Sequence, residues 1–283
     1  MIMKDDTKDK STSEPIIKLV NVTKRFGDKT VLNKVSLDIE KGKTTVVIGP
    51  SGCGKTVLIK HFIVLLRPTS GEVFFNGQRI DNISENQLNK IRVHFGFLFQ
   101  GGALFDSLSV AGNIIFPIRQ HYKITDLTNI DELVKMKLDL VGLDGYQNYY
   151  PARLSGGQRK RVALARAIAL NPDVILYDEP TTGLDPIRAD VINELILKLS
   201  KGLGHTSIVV THDMTSAYKI ADRIIMLHEG KIIADGDAEH IRNHPHPQVQ
   251  QFINGRVSDD DLAALRAGGT VFETQYLPQD FEE

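Results

Sequence analysis

The residues of this chain that could do chemistry are a lysine inside a glycine-rich turn, two acids ending an apolar run, and a histidine closing another. All three point to phosphate. Gly49-Pro50-Ser51-Gly52-Cys53-Gly54-Lys55-Thr56 follows the apolar run Thr44 to Ile48 and precedes the helical pattern Val57 to Leu66. Strand, glycine-rich turn and helix are the context that a P-loop requires. Glycines let the backbone curl so that several N–H groups point into one hollow, and the helix N-terminus adds partial positive charge there. Lys55 is then placed to reach terminal phosphates, and the Thr56 hydroxyl to sit on Mg²⁺. An ordinary glycine-rich turn is the bland alternative; the strand before and the helix after weigh against it.

Val174 to Tyr177 is an apolar strand that ends in Asp178-Glu179. At the carboxyl end of a parallel strand, Asp178 can hold Mg²⁺ and Glu179 can orient or deprotonate an attacking water. Thr211-His212-Asp213 closes the run Ser207 to Val210. A lone histidine is more often structural, but at a strand end His212 can hydrogen-bond a γ-phosphate and stabilise developing charge. Leu154-Ser155-Gly156-Gly157-Gln158 is a second glycine-rich turn, ahead of the basic helix that starts Arg159-Lys160-Arg161. Its Ser hydroxyl, free N–H groups and helix N-terminus make a second anion site. The three charges read as a solvated face rather than a nucleic-acid surface.

These residues need a frame. With 283 residues, of which 41% are hydrophobic, the chain can bury a normal core. A net charge of −1 calls for neither nucleic acid nor an anionic membrane. The single cysteine, Cys53, excludes an internal structural disulfide and fits a reducing compartment. Within the turn it reads as a small filler rather than a reactive thiol, because main-chain N–H groups do the binding. Residues 1–14 are polar, unlike a signal or transit peptide, and read as disordered. No window is apolar enough to cross a bilayer, so any membrane link is expected through another protein.

Ile16 to Val22, Val35 to Ile39 and Gly71 to Phe75 alternate as strands, the last ending in an Asn76-Gly77 hairpin turn. They predict a small antiparallel sheet beside the P-loop strand. Ser84 should cap a helix over 85–91, followed by a strand from Arg92 to Phe99. From Gly101 to about Pro151 the pattern is mainly helical, with Gly142 as a C-cap. From Gln158 onward helices and strands alternate, which implies a mostly parallel sheet covered by helices, an α/β fold.

Gly49 to Thr56, Gln100, Leu154 to Gln158, Asp178-Glu179, Gly183-Leu184-Asp185 and His212 occur in the order found in ABC-type ATPases, and Ile16 to Asp237 resembles that family. The resemblance implies a P-loop NTPase with a RecA-like core, an antiparallel β subdomain and a helical subdomain at about 101–160, the whole domain spanning 15–240. It implies ATP and Mg²⁺ as ligands. It also implies a head-to-tail dimer in which each ATP lies between the P-loop of one chain and the LSGGQ turn of the other. By the same match Phe26 stacks on adenine, Gln100 contacts Mg²⁺ and the water, and Asp185 lies at the dimer interface. Cys53 and Val57 stand where Ser, Ala or Thr are commoner; neither is a phosphate ligand.

One cassette without a heptad insertion fits a transporter motor better than a ribosome- or DNA-associated ATPase, and LSGGQ sets aside small-molecule kinases. Such a motor would be cytoplasmic, held on the inner membrane by a multi-spanning permease. Phe97 to Phe105 and Asn113 to Arg119 resemble the ATPases of Mla/Mce-type systems, which move phospholipids between the inner membrane and the outer envelope. The resemblance implies a lipid-binding envelope protein and a small accessory protein as further partners; import of a small polar solute is the alternative. The plain reading of Phe97, Leu104 and Phe105 is core packing. His244 to Gly255 resembles the end of Mla-type cassettes, and residues 241–283 are expected to extend from the domain. A short helix through Ala267 and an acidic tail with Phe272, Tyr276, Leu277 and Phe281 should dock on a neighbour rather than fray.

Overall fold

The computed structural model describes residues 14–121 and 128–256, together with Leu262, Ala263 and Arg266. The expected disordered start before Glu14, most of the helix expected to end at Ala267, and the tail at 270–283 lie outside the described residues.

Two sheets organise the fold. Strands β1 (Ile17–Phe26), β2 (Lys29–Ile39), β4 (Ser70–Phe75) and β5 (Gln78–Arg79) form an antiparallel sheet of order β2-β1-β4-β5. Asn76 and Gly77, with φ of 46° and 75°, make the expected tight turn between the last two. The larger sheet has β3 (Thr44–Ile48), β6 (Phe95–Leu98), β7 (Val174–Asp178), β8 (Thr206–Val210), β9 (Arg223–His228) and β10 (Lys231–Gly236), in the order β10-β9-β3-β8-β7-β6. All of its pairings are parallel except that of β10 with β9.

The sheet's central strands are buried on both faces, which is why they read as continuous apolar runs rather than alternating ones. Val46 and Ile48 of β3, Ile175 and Tyr177 of β7 and Val209 of β8 pack into one core. Their neighbours Val47, Val174, Leu176, Ile208 and Val210 pack into the other. The first core holds α3 (Val110–His121), α4 (Thr128–Leu140) and α5 (Gly156–Ala167). The second lies against the antiparallel sheet, α1 (Lys55–Phe62) and α2 (Glu85–Arg92).

Local signals set several boundaries. Ser84 caps α2 through a reciprocal pair with Gln87. That helix runs to Arg92, so the next strand starts at Phe95 rather than Arg92. Arg92 is held on the helix because its guanidinium donates to the carbonyls of Ile63 and Val64 at 3.2 and 2.8 Å. Helix α4 ends at Gly142, φ 65°, with Leu143 N–H donating to Leu138 O at 2.9 Å and Gly142 N–H to Asp139 O at 3.1 Å. This is the paired closure that a left-handed residue permits. At the other end, α8 (Ala238–Arg242) and α9 (Pro247–Ile253) place Ile241 and Val249 in the first core, so packing continues past 240 to Ile253.

Register brings the chemistry together. Val210 faces Val47 on one side and Asp178 on the other, and Leu98 faces Tyr177. The turn from Gly49, the acids 178–179, His212 and Gln100 therefore all leave the sheet at the same end of its strands, where open α/β sheets bind ligands.

Candidate nucleotide site

The P-loop is shaped by its glycines. Gly49 has φ 148° and Gly54 φ 107°. A Cβ at Gly49 would fall on the Leu227 carbonyl oxygen, and one at Gly54 would meet the Val31 carbonyl oxygen at 3.0 Å. Only a residue without Cβ lets the loop settle between β9 and β2. Lys55 is buried, and its ammonium donates to the carbonyls of Gly49 and Pro50 at 2.8 and 2.9 Å. Cys53 is buried too, and burial pushes its thiol pKa up, so the side chain is thiol rather than thiolate. Phe26, at the end of β1, is 41% exposed with the Lys24 ammonium 5.1 Å from its ring centroid.

Thr56 and Asp178 meet across the site: the threonine hydroxyl donates to Asp178 Oδ1 at 3.3 Å. Burial raises the Asp178 pKa; Thr56 opposes this and the Glu179 charge adds to it. Hard oxygen donors of this kind, next to a buried lysine and a loop that a Cβ would fill, suit a phosphate with its Mg²⁺. Gln100, exposed at the end of β6, is the remaining candidate ligand.

Glu179 is buried and adopts φ 50°, a left-handed conformation that costs a non-glycine residue of order 1 kcal/mol. Its surroundings hold it there. The N–H donates to Val210 O at 2.9 Å, and Oε2 accepts from Thr182 Oγ1 at 3.0 Å. His212 Nδ1 lies 2.9 Å from the same Oε2. Asp185 caps α6 (Pro186–Leu197), accepting from Arg188 N–H at 3.0 Å.

The second glycine-rich turn caps α5. Ser155 Oγ accepts from Gln158 N–H at 3.3 Å, and Gln158 Oε1 accepts from Ser155 N–H at 2.8 Å. Gln158 Nε2 donates to Tyr146 Oη at 3.1 Å, and Leu154 is buried beneath the turn. The N–H groups of Gly156 and Gly157 stay available at the helix end. Among the described residues, no hydrogen bond or ion pair joins 154–158 to 49–56.

Within the basic run after this turn, Arg159 is exposed as expected of a solvated face, and Lys160 is not. Lys160 is 8% exposed and donates to the carbonyls of Glu179 and Pro180 at 3.2 and 2.7 Å. Burial lowers its pKa to about 8, against a smaller opposing pull from Glu179. Arg159 donates to Leu154 O at 2.6 Å and Arg161 to Gly142 O at 2.9 Å. The signal for Lys160 was its spacing: it shares a helix face with Gly157 and Leu164, three residues before and four after, and both are buried.

Beyond Gln100 the chain borders an apolar groove of about 460 Å³, whose lining includes Phe97, Phe99, Phe105, Phe116, Pro117 and Arg166. Phe97 and Leu104 pack on the cores as expected, but Phe105 is 41% exposed and packs on Phe116, their ring centroids 4.5 Å apart. Asn113, fully buried, shapes this rim: Oδ1 accepts from Phe105 N–H at 2.8 Å, and Nδ2 donates to the carbonyls of Phe105, Leu108 and Ser109. Arg166, at the far end of α5, donates to the carbonyls of Gly102 and Ala103 at 2.8 and 2.7 Å.

Fold and site together define a P-loop nucleoside triphosphatase with a second glycine-rich turn at the start of α5. Residues 32–182 match the profile of the ABC transporter family. The chain is 43% identical over 243 residues to the intermembrane phospholipid transport system ATP-binding protein MlaF of Haemophilus influenzae, covering 86% of this chain and 92% of that one. It is 39% identical to MlaF of Escherichia coli K12 over 85% of this chain and 89% of that one. It is 41% identical to the probable ribonucleotide transport ATP-binding protein mkl of Mycobacterium leprae, over 85% of this chain and 69% of that one. Among solved structures it resembles the dimeric ATP-binding cassette MJ0796 bound to ADP and Pi, with TM-score 0.73, 35% identity, and coverage of 78% of this chain and 98% of that one. It also resembles cbiO1 of Clostridium perfringens, with TM-score 0.75, 28% identity, and coverage of 90% and 100%. The chain belongs to the ABC transporter family and is one of its ATP-hydrolysing cassettes.

Proposed function

We propose that this chain is the ATPase motor of a transporter that moves phospholipids between the inner membrane and the outer envelope, maintaining outer-membrane lipid asymmetry. The observation that carries the reading is its 43% identity to a phospholipid-transport ATPase along 86% of the chain. The aromatic groove beyond Gln100 supports it, as a seat for a helix of a multi-spanning permease that would hold the chain on the cytoplasmic face. No described helix is long and apolar enough to cross the membrane itself. A lipid-binding envelope protein and a small accessory protein complete the expected assembly, with residues after 253 reaching a neighbour.

Two copies would pair head to tail. The P-loop from Gly49 to Thr56 binds the triphosphate of its own ATP, with Lys55 on the terminal phosphates and Phe26 against adenine. Thr56, Asp178 and Gln100 would hold Mg²⁺, which when bound neutralises phosphate charge. Glu179, with Oε2 engaged by Thr182 and His212, presents Oε1 to the attacking water as base. His212 adds a donor toward the γ-phosphate. Leu154 to Gln158 of the second copy closes the cage with Ser155 and helix N–H groups, and Asp185 lines the same interface. Association then depends on the γ-phosphate, and hydrolysis lets the copies part.

The test is deletion of this chain in its host. Loss of outer-membrane lipid asymmetry and of detergent tolerance is the expected result. Intact asymmetry with lost uptake of a polar solute would assign the motor to solute import instead.

A further inference from the structure

We propose that Lys160 is a positioning residue for hydrolysis, tying each chain's LSGGQ helix to the backbone turn that carries that chain's own Glu179. The inference rests on the composite-site reading above. It starts from the two carbonyls that accept from Lys160 Nζ, those of Glu179 and Pro180, at 3.2 and 2.7 Å. These are the peptide groups immediately after the reacting carboxylate. Glu179 sits at φ 50°, where a non-glycine residue persists only if its surroundings over-determine it. Val210 O holds the N–H side of that residue and Lys160 holds the carbonyl side.

The contact is one of several between the same two segments. The Cα of Gly156 faces the Leu184 side chain and that of Gly157 faces Arg188, close enough that an added Cβ would touch each, at 3.8 and 3.5 Å. The first turns of α5 and the segment 179–188 therefore pack as one body, with Lys160 as its polar link. Burial lowers the Lys160 pKa to about 8, a cost that an apolar side chain of similar length would avoid. What the amine supplies is a donor to Pro180 O, which has no other partner among the described residues, and a second donor to Glu179 O beside the Thr182 N–H at 3.3 Å.

The consequence reaches across the dimer. The LSGGQ turn of one chain touches the nucleotide on its partner, whereas Glu179 serves the chain's own. Through Lys160, loss of the γ-phosphate at one site moves the base at the other.

The experiment uses the purified full-length chain with Lys160→Met, which keeps length and removes the donor, and Lys160→Gln, which keeps an N–H donor without charge. Steady-state hydrolysis, its Hill coefficient and the affinity for a fluorescent ATP analogue are measured. Lys160→Met is expected to lower kcat by about 10- to 100-fold, the scale of a displaced catalytic group, with ATP affinity unchanged and the Hill coefficient falling toward 1. Lys160→Gln should return kcat to within about fivefold of the unsubstituted chain. A Lys160→Met enzyme at full kcat, a Lys160→Gln enzyme no better than it, or a loss confined to KM overturns the proposal. If Lys160→Met does not fold, Lys160→Gln decides alone: folded with kcat near normal supports the link, folded and slow refutes it. Glu179→Gln serves as the control. If it hydrolyses normally, the base assignment fails; if it is inactive while Lys160→Met is normal, only the Lys160 link fails.

Discussion

His212 Nδ1 and Glu179 Oε2 lie 2.9 Å apart, and Thr182 Oγ1 reaches the same oxygen at 3.0 Å. One carboxylate oxygen is thus engaged from two sides, and the proposed base would act through the other. Glu179→Gln should slow hydrolysis by at least about 10²-fold and accumulate an ATP-bound dimer, seen by single-turnover kinetics and size-exclusion chromatography. His212→Ala should lower kcat by about 10-fold or more at little change in KM, because the lost contact orients the base and forms with the γ-phosphate as charge develops. Fast steady-state turnover by Glu179→Gln would refute the base.

Lys55 stands in a different relation to the nucleotide. Its ammonium is held at the loop by the carbonyls of Gly49 and Pro50. Lys55→Ala should weaken binding of a fluorescent ATP analogue by roughly 10-fold or more, the scale of a lost charge-assisted contact, with the fold intact by circular dichroism.

Asp178 is expected to show activity and stability in opposition. Its raised pKa, caused by burial, means that the folded chain holds this proton more tightly than the unfolded chain. Stability linked to the group therefore falls as pH rises from 3.8 through the raised folded value. Asp178→Asn should raise the apo unfolding midpoint at pH 7 by roughly 2–4 °C while abolishing Mg²⁺-dependent hydrolysis. The gain should shrink as pH falls toward 3.8, measured by calorimetry across pH.

The groove offers a separation of functions. Phe105→Glu puts a charge among Phe99, Phe116 and Pro117 without touching the P-loop. Basal hydrolysis by the isolated chain should persist, while co-purification with the membrane subunit is lost. Asn113→Ala should do the same less cleanly and lower stability by about 2 kcal/mol, because Phe105 N–H and Leu108 O lose the side-chain amide that pairs them.

Much of this architecture was legible beforehand because its signals are local. The hairpin at Asn76-Gly77, the caps at Ser84 and Gly142, and the strand–turn–helix around Gly49 each depend on residues within a few positions of one another. Boundaries that depend on distant partners were not legible. Arg92 stayed helical because Ile63 and Val64 offered carbonyls. Residues 241–253 joined the core because β9 and β10 leave an apolar surface for Ile241 and Val249 to cover. Lys160 read as solvent-facing because three adjacent charges suggest water, whereas helical spacing puts the middle one inward.

From sequence alone came the expected chemistry: a phosphate loop, an acid pair read as metal ligand and base, and a second turn read as an anion site, each defined by residue type and short spacing. Tertiary structure decided how they relate. The parallel register around Val210 brought Gly49, Asp178, Glu179 and His212 to one end of the sheet, and the second glycine-rich turn became the cap of α5. Spacing along a chain records what a segment can bind. Distance through space, set by which strands pair, decides which of those segments share one end of the sheet.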